Sequence, residues 1–219
     1  MKPRIAIPLP HGTDSEYAQR AIPQYERAIE LSGGEPVRIP LDQAPAEVMK
    51  LIERCDAVLL PGSKADVDPA KFGAEKHPKT VSADPKRDTV DELLLQDAYN
   101  MHKPILGICY GLQILNVYRS GTLLQHIESS VNHAAGSKVP VAHHIEGLEG
   151  TEPDHFVLAV QWHPERSFDE DETSRAIFGA LVEAVREKHR ELSREFETTQ
   201  AYRDAGFSAN RVCKTSGKD

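Results

Sequence analysis

PILGICYGLQILNVYRSG, residues 104–121, decides how the rest of the chain is read. Pro104 to Ile108 is an apolar strand, and Leu112, Leu115 and Tyr118 then recur at helical spacing. Cys109 sits at the junction, with Gly107 and Gly111 two residues to either side. Glycines there permit a sharp turn without Cβ clashes. The pattern is that of a nucleophile elbow. By analogy with the Ser-centred G-x-S-x-G turn, it lifts the Cys109 sulfur above a sheet, with a helix N-terminus beneath it that favours a thiolate.

Outward from the elbow, strands and helices alternate. Arg4–Pro8, Pro36–Pro40, Ala57–Leu60 and Phe156–Trp162 read as strands, and AVLL at 57–60 carries no polar residue, as a central parallel strand should. Helices are expected over a segment with Pro23 in its first turn, ended by Gly33 and Gly34, and over Pro45–Arg54. A third helix is expected from the Asp84 cap and Pro85 to about Met101. A last one, capped by Asp171 or Thr173, has Ala176, Ile177, Ala180, Leu181, Ala184 and Val185 on one stripe. Thr122–Ile127 reads as a short strand, and residues 128–154 show no periodicity. Pro61–Ala83 is a long turn-rich segment directly after a central strand, a place where long loops are often functional. The order implies an α/β fold, a mostly parallel central sheet with helices on both faces and right-handed crossovers. One domain is expected over residues 1–188, followed by a charged extension over 189–219 that frays into a partly disordered tail.

Composition narrows the function. The net charge of −8 over 219 residues, with no basic run, argues against nucleic-acid or anionic-membrane partners and leaves small polar substrates. Cysteines stand at 55, 109 and 213, an odd number without C-x-x-C spacing, so neither a disulfide framework nor a zinc site is indicated. Cys55 reads as a packing residue, and Trp162 as core beside the site. His126 and His133 lack partners at metal-ligand spacing and are taken as structural. No apolar stretch reaches the length of a membrane span, and a reducing, cytoplasmic setting is expected.

A nucleophilic cysteine needs a base, and the base needs a group to orient it. His163 and Glu165 supply both, on a loop that follows a strand and so lies at the same sheet edge as the elbow. Pro164 between them restricts the backbone. Oxyanion donors are sought among the backbone N–H groups of Tyr110, Gly62 and Ser63. Arg87, Asp88 and Asp91 read as a solvated helix face.

With these residues in hand the chain resembles the class I glutamine amidotransferase-like superfamily, and within it the γ-glutamyl-γ-aminobutyrate hydrolase branch of the C26 cysteine peptidases. Gly107, Cys109, Gly111 and Gln113 match the G-x-C-x-G-x-Q elbow, and VQWHPE at 160–165 matches the strand with its H-P-E motif. LLPGSKADVDPAKFG at 59–73, KRDTVDELLL at 86–95 and SGTLLQHI at 120–127 are similar to segments of the branch. The resemblance implies a flavodoxin-like sheet, Cys109 as nucleophile, His163 as base, Glu165 as its partner, and Gly62 and Tyr110 amides for the oxyanion. Gln113 would help hold the γ-glutamyl group, and no metal or organic cofactor is required. Amine would leave from a γ-glutamyl amide, and water would then hydrolyse a γ-glutamyl thioester.

Two departures stand out. Tyr110 follows the nucleophile where the branch has arginine, and the interval from Gln125 to His155 is shorter than in the family, with His143-His144 either a remnant of its S-x-H-H-Q-A segment or two loop histidines. The expected function is hydrolysis of γ-glutamyl-GABA or a related γ-glutamyl amine. A glutaminase subunit feeding a partner synthase and a catalytically impaired binding module are the alternatives. A homodimer is compatible with each.

Overall fold

The structure is a computed structural model that describes residues 2–127 and 147–204. Contacts divide the chain into two units, residues 1–185 and 186–219. The first unit holds a six-stranded sheet. Its strands are β1 (Arg4–Pro8), β2 (Glu35–Ile39), β3 (Ala57–Leu60), β4 (Ile105–Ile108), β5 (Gly147–Glu149) and β6 (Val157–Val160), in the order β2-β1-β3-β4-β6-β5. Every pairing is parallel except that of β5 with β6. β3 and β4 are buried along their whole length, which is why they carry unbroken apolar runs.

Helices α1 (Ser15–Leu31), α2 (Pro45–Ile52), α3 (Pro85–Met101), α4 (Tyr110–Tyr118) and α5 (Glu172–Asp204) complete the order. Two apolar cores form, one on each face of the sheet. Ile22, Tyr25 and Ile29 of α1 and Ile177, Phe178 and Leu181 of α5 pack on one, while α2, α3 and α4 supply Val48, Val90, Leu94 and Ile114 to the other. The expected α/β architecture with both faces covered is what the chain adopts. In the second unit, residues 186–204 lie within α5 and expose Leu192 and Phe196.

Several local expectations are corrected. Helix α1 begins at Ser15, because the Asp14 carboxylate accepts from the Tyr17 N–H at 2.9 Å, so Pro23 lies inside the helix and not in its first turn. Thr122–Ile127 forms no strand. It is tied by side chains, with Asn116 donating to the Thr122 carbonyl and the Gln125 amide bridging the Glu75 carbonyl, the His77 N–H and the Thr80 hydroxyl. β5 went unpredicted because three exposed residues, Gly-Leu-Glu, carry no alternation to read. On α5 the buried apolar positions are Ile177, Phe178, Leu181, Val182 and Val185, so the inward stripe is centred beside the alanines assigned to it.

Candidate active site

The loops after β1, β3, β4 and β6 all leave the same edge of the parallel sheet, and the site is built there. Cys109 is the N-cap of α4, with φ 53° and ψ −103°. That is a sparsely populated conformation for a residue with a Cβ, the kind of strain concentrated at functional turns. The turn is anchored on both sides: Cys109 N–H donates to the Val160 carbonyl at 2.8 Å, and the Cys109 carbonyl accepts from Leu112 and Gln113 at 3.1 and 3.2 Å. Gly111 is required by contact, since a Cβ there would meet the Leu60 carbonyl, on which the first turn of α4 rests.

His163 and Glu165 follow β6. His163 Nδ1 lies 2.7 Å from Glu165 Oε1, and Glu165 is buried while the imidazole stays partly open to solvent. Burial disfavours the imidazolium, but hydrogen bonds to Cys109 and Glu165 and the charges of both outweigh it, pushing His163 up to about 9. His163 is therefore a cation at neutral pH, held between a sulfur and a carboxylate. The Gln161 amide also reaches the Cys109 sulfur, at 3.5 Å. Gln161 was not singled out from the sequence; its position two residues before His163, at the end of a strand, is the signal that was available.

The three candidate oxyanion donors behave differently. Tyr110 heads α4, where first-turn N–H groups have no partner within the helix. Ser63 turns its hydroxyl back on the Ala65 N–H at 3.1 Å. Gly62 N–H is engaged, donating to the Tyr25 hydroxyl at 3.1 Å. Gly62 also packs against the imidazole, since a Cβ there would lie 2.7 Å from His163 Cε1. Gln113, one turn into α4, is half-buried.

Arg87, Asp88 and Asp91 are not a solvated face. Arg87 and Asp91 are fully buried and Asp88 is 6% exposed. The Arg87 Nε donates to both Asp91 oxygens at 2.7 and 2.8 Å, and its other nitrogens reach the carbonyls of Pro10 at 3.2 Å and Pro61 at 3.0 Å. One guanidinium thus pins the loops after β1 and β3. Burial pushes Asp91 up to about 6 against the pull of Arg87. Tyr110 stacks over this cation at 5.1 Å and donates its hydroxyl to Asp88 at 2.6 Å, so the residue after the nucleophile points into the core.

Cys55 is 3% exposed, bonds the Leu51 carbonyl through its thiol at 3.3 Å, and is pushed up to about 11 by burial. Iodoacetamide at neutral pH is expected to modify Cys109 well before Cys55, as peptide mapping over time would show. Equal rates at the two sites would contradict an accessible, activated sulfur at 109. His126 stacks on His77 and meets Lys79 at 3.0 Å, and no group of three or more potential metal ligands occurs among the described residues. His133, His143, His144 and Cys213 lie outside the described residues. No helix among them is long and apolar enough to cross a membrane.

Residues 9–144 match the sequence profile of the family described as Peptidase C26. The chain belongs to the peptidase C26 family. Among its relatives is "Putative glutamine amidotransferase Rv2859c" of Mycobacterium tuberculosis, 33% identical over 209 positions that take in 74% of this chain and 66% of that protein. Another is "Gamma-glutamyl-gamma-aminobutyrate hydrolase PuuD" of Escherichia coli K12, 27% identical over 216 positions, 74% of this chain and 84% of that protein. Alignments of 209 and 216 positions that draw on 74% of a 219-residue chain leave relatives' residues inside the aligned span with no counterpart here. Among solved structures, a Thermoplasma acidophilum protein described as "a putative gmp synthase subunit a protein" superposes with a TM-score of 0.54 at 16% identity, over 89% of this chain and 98% of that one. At that identity the likeness speaks for the fold.

Proposed function

We propose that this C26 family member is a cysteine-dependent hydrolase of γ-glutamyl amides, acting through a γ-glutamyl thioester on Cys109. The observation that carries the proposal is the strained Cys109 turn facing an imidazole fixed at 2.7 Å to a buried carboxylate. In this scheme the sulfur attacks the γ-carbonyl carbon, and the oxyanion is met by the Tyr110 and Ser63 N–H groups, Gly62 being engaged elsewhere. The His163 imidazolium gives its proton to the leaving amine. Neutral His163 then takes a proton from water as it attacks the thioester, and free glutamate leaves. Glu165 keeps the imidazole oriented throughout.

Purified protein is expected to release amine from γ-glutamyl-GABA or a related γ-glutamyl amine without any added partner. Turnover of none of a panel of γ-glutamyl amines by folded protein would overturn the proposal. The M. tuberculosis relative's name favours a second reading, a glutaminase that hands ammonia to a synthase. It predicts glutamine as donor and activity that rises on addition of the synthase. The unmatched residues within the relatives' aligned spans favour a third, a module impaired in catalysis, which predicts binding of γ-glutamyl compounds without turnover.

The acid role of His163 sets a pH dependence. Its proton is lost as pH rises through about 9, so the rate of amine release should fall along an alkaline limb near that value. Glu165→Gln removes one of the groups that raise the imidazole, and the limb should move down toward the ordinary imidazole range near 6.5. An unmoved limb in this variant would separate Glu165 from the reaction.

A further inference from the structure

Tyr25 lies on α1, far in sequence from every residue of the Cys109 site, yet its side chain ends inside that site. It is 1% exposed. Its hydroxyl accepts the Gly62 N–H at 3.1 Å and lies 3.5 Å from His163 Nδ1, the nitrogen that faces Glu165. Nothing in the sequence marks it, because a tyrosine on the inner face of a helix reads as core, and its ring is indeed packed with Ile22, Ile29 and Leu59 in the core on that face.

Hydrogen-bond accounting then assigns the phenol's own proton. A tyrosine hydroxyl has one proton to give, and a lone pair here is taken by Gly62. Burial holds Tyr25 well above the ordinary phenol range, so it is neutral and keeps that proton at any pH at which the protein works. When His163 is protonated, Nδ1 is a donor and cannot accept it. Glu165 can. The charge of the carboxylate helps to hold the phenol up, and one of its oxygens, Oε2, is buried with no hydrogen-bond partner. A buried carboxylate oxygen without a donor is costly, and the Tyr25 hydroxyl, which accepts from Gly62, still has its own proton to give.

We propose that Tyr25 is a positioning residue of the hydrolase site: its hydroxyl takes the Gly62 N–H and gives its proton to the His163–Glu165 pair, to Glu165 whenever the imidazole is charged. One oxygen thereby fixes the distance between the loop after β3 and the loop after β6, the two walls that flank the Cys109 sulfur. Tyr25 touches neither the sulfur nor the acyl group and acts through Gly62 and Glu165. The other titratable groups around this point are Tyr17 on α1, Cys109 on the elbow, Arg87 on α3 and Arg166 beside Glu165, whose Nε lies 3.5 Å from Oε1. The proposal rests on the hydrolase reading for its consequence on rate; the place of Tyr25 beside Gly62 and His163 and the unpartnered Glu165 Oε2 are observations of geometry.

Tyr25→Phe keeps the ring and removes only the oxygen. Three readings are expected in this variant. Amide exchange at Gly62 accelerates, because its acceptor is gone. The His163 ring titration followed by NMR moves above its wild-type midpoint, because Glu165 loses a donor that competes with the imidazole. Amine release falls in kcat by about 10- to 100-fold with KM little changed. In the Glu165→Gln background the same substitution should add almost nothing, since both act through one contact. Unchanged Gly62 exchange with an unmoved or lowered His163 midpoint overturns the assignment, as does a kcat loss that simply multiplies with that of Glu165→Gln. Should Tyr25→Phe fail to fold, Glu165→Gln alone gives the answer: Gly62 exchange rises if the carboxylate orients the phenol, and an unaltered rate refutes it. Exchange and titration need no substrate. If they behave as expected while no γ-glutamyl amine is turned over, the hydrolase reading fails and the Tyr25 contact stands.

Discussion

Replacing Cys109 by alanine is expected to lower kcat for amine release by on the order of 10⁶-fold, to the level that binding and oxyanion donors sustain by themselves. The fold should survive, since alanine keeps the Cβ and the turn is secured by backbone bonds to Val160, Leu112 and Gln113. Thermal unfolding of the variant should therefore match that of the wild type. His163→Ala should cost a comparable factor, and the double variant little more than either, because sulfur and imidazole act as a unit. Rates that fall additively, or a Cys109→Ala protein that still turns over, would remove the cysteine from the chemistry.

Arg87 carries the second large expectation, and it concerns stability. A fully buried guanidinium bonded to Asp91 and to the Pro10 and Pro61 carbonyls leaves, when removed, a buried carboxylate and two orphaned acceptors. Arg87→Met is expected to cost about 3–5 kcal/mol in denaturant unfolding. Arg87→Met combined with Asp91→Leu should recover part of that loss, because the uncompensated charge goes with the second substitution. A cost under about 1 kcal/mol for the single variant would place it in the range of a surface pair. Pro61 precedes Gly62, so the surviving fraction of Arg87→Met should also be impaired in turnover.

The elbow was legible because it is local. Glycines at fixed offsets from Cys109, an apolar strand before it and helical spacing after it are all written within one short stretch. The same holds for β3, whose four apolar residues announce burial on both faces, and for α3, whose Asp84 cap and Pro85 set its start where expected. His163 and Glu165 were found because a parallel sheet sends the loop after β6 to the edge that holds the elbow.

What the sequence concealed is decided by contacts between distant segments. Arg87 looked solvated because charge suggests water; its partners, Pro10 and Pro61, are backbone carbonyls, which leave no trace in side-chain patterns. Tyr110 stood out only as a departure from the arginine of the branch; its hydroxyl goes to Asp88 and its ring to Arg87, so the buried ionic group and the residue after the nucleophile explain one another. Gly62 looked like a free donor, and only the arrival of Tyr25 from α1 shows where its N–H goes. The end of α1 is well marked by glycines, but its start lies earlier than a first-turn Pro23 would put it, because the Asp14 carboxylate caps it. A proline inside a helix removes one hydrogen bond, and here the apolar face of Ile22, Tyr25 and Ile29 against the sheet outweighs that loss.

The central claim is a covalent one, that the γ-glutamyl group passes through the Cys109 sulfur. Mixing the protein with a γ-glutamyl amine, quenching in acid and mapping peptides by mass spectrometry tests it most directly. The account predicts a γ-glutamyl adduct on the peptide bearing Cys109, formed as amine is released, absent in Cys109→Ala and accumulating if water attack is slowed. Amine release with no adduct on Cys109 at any quench time, and with full activity in Cys109→Ala, would contradict it.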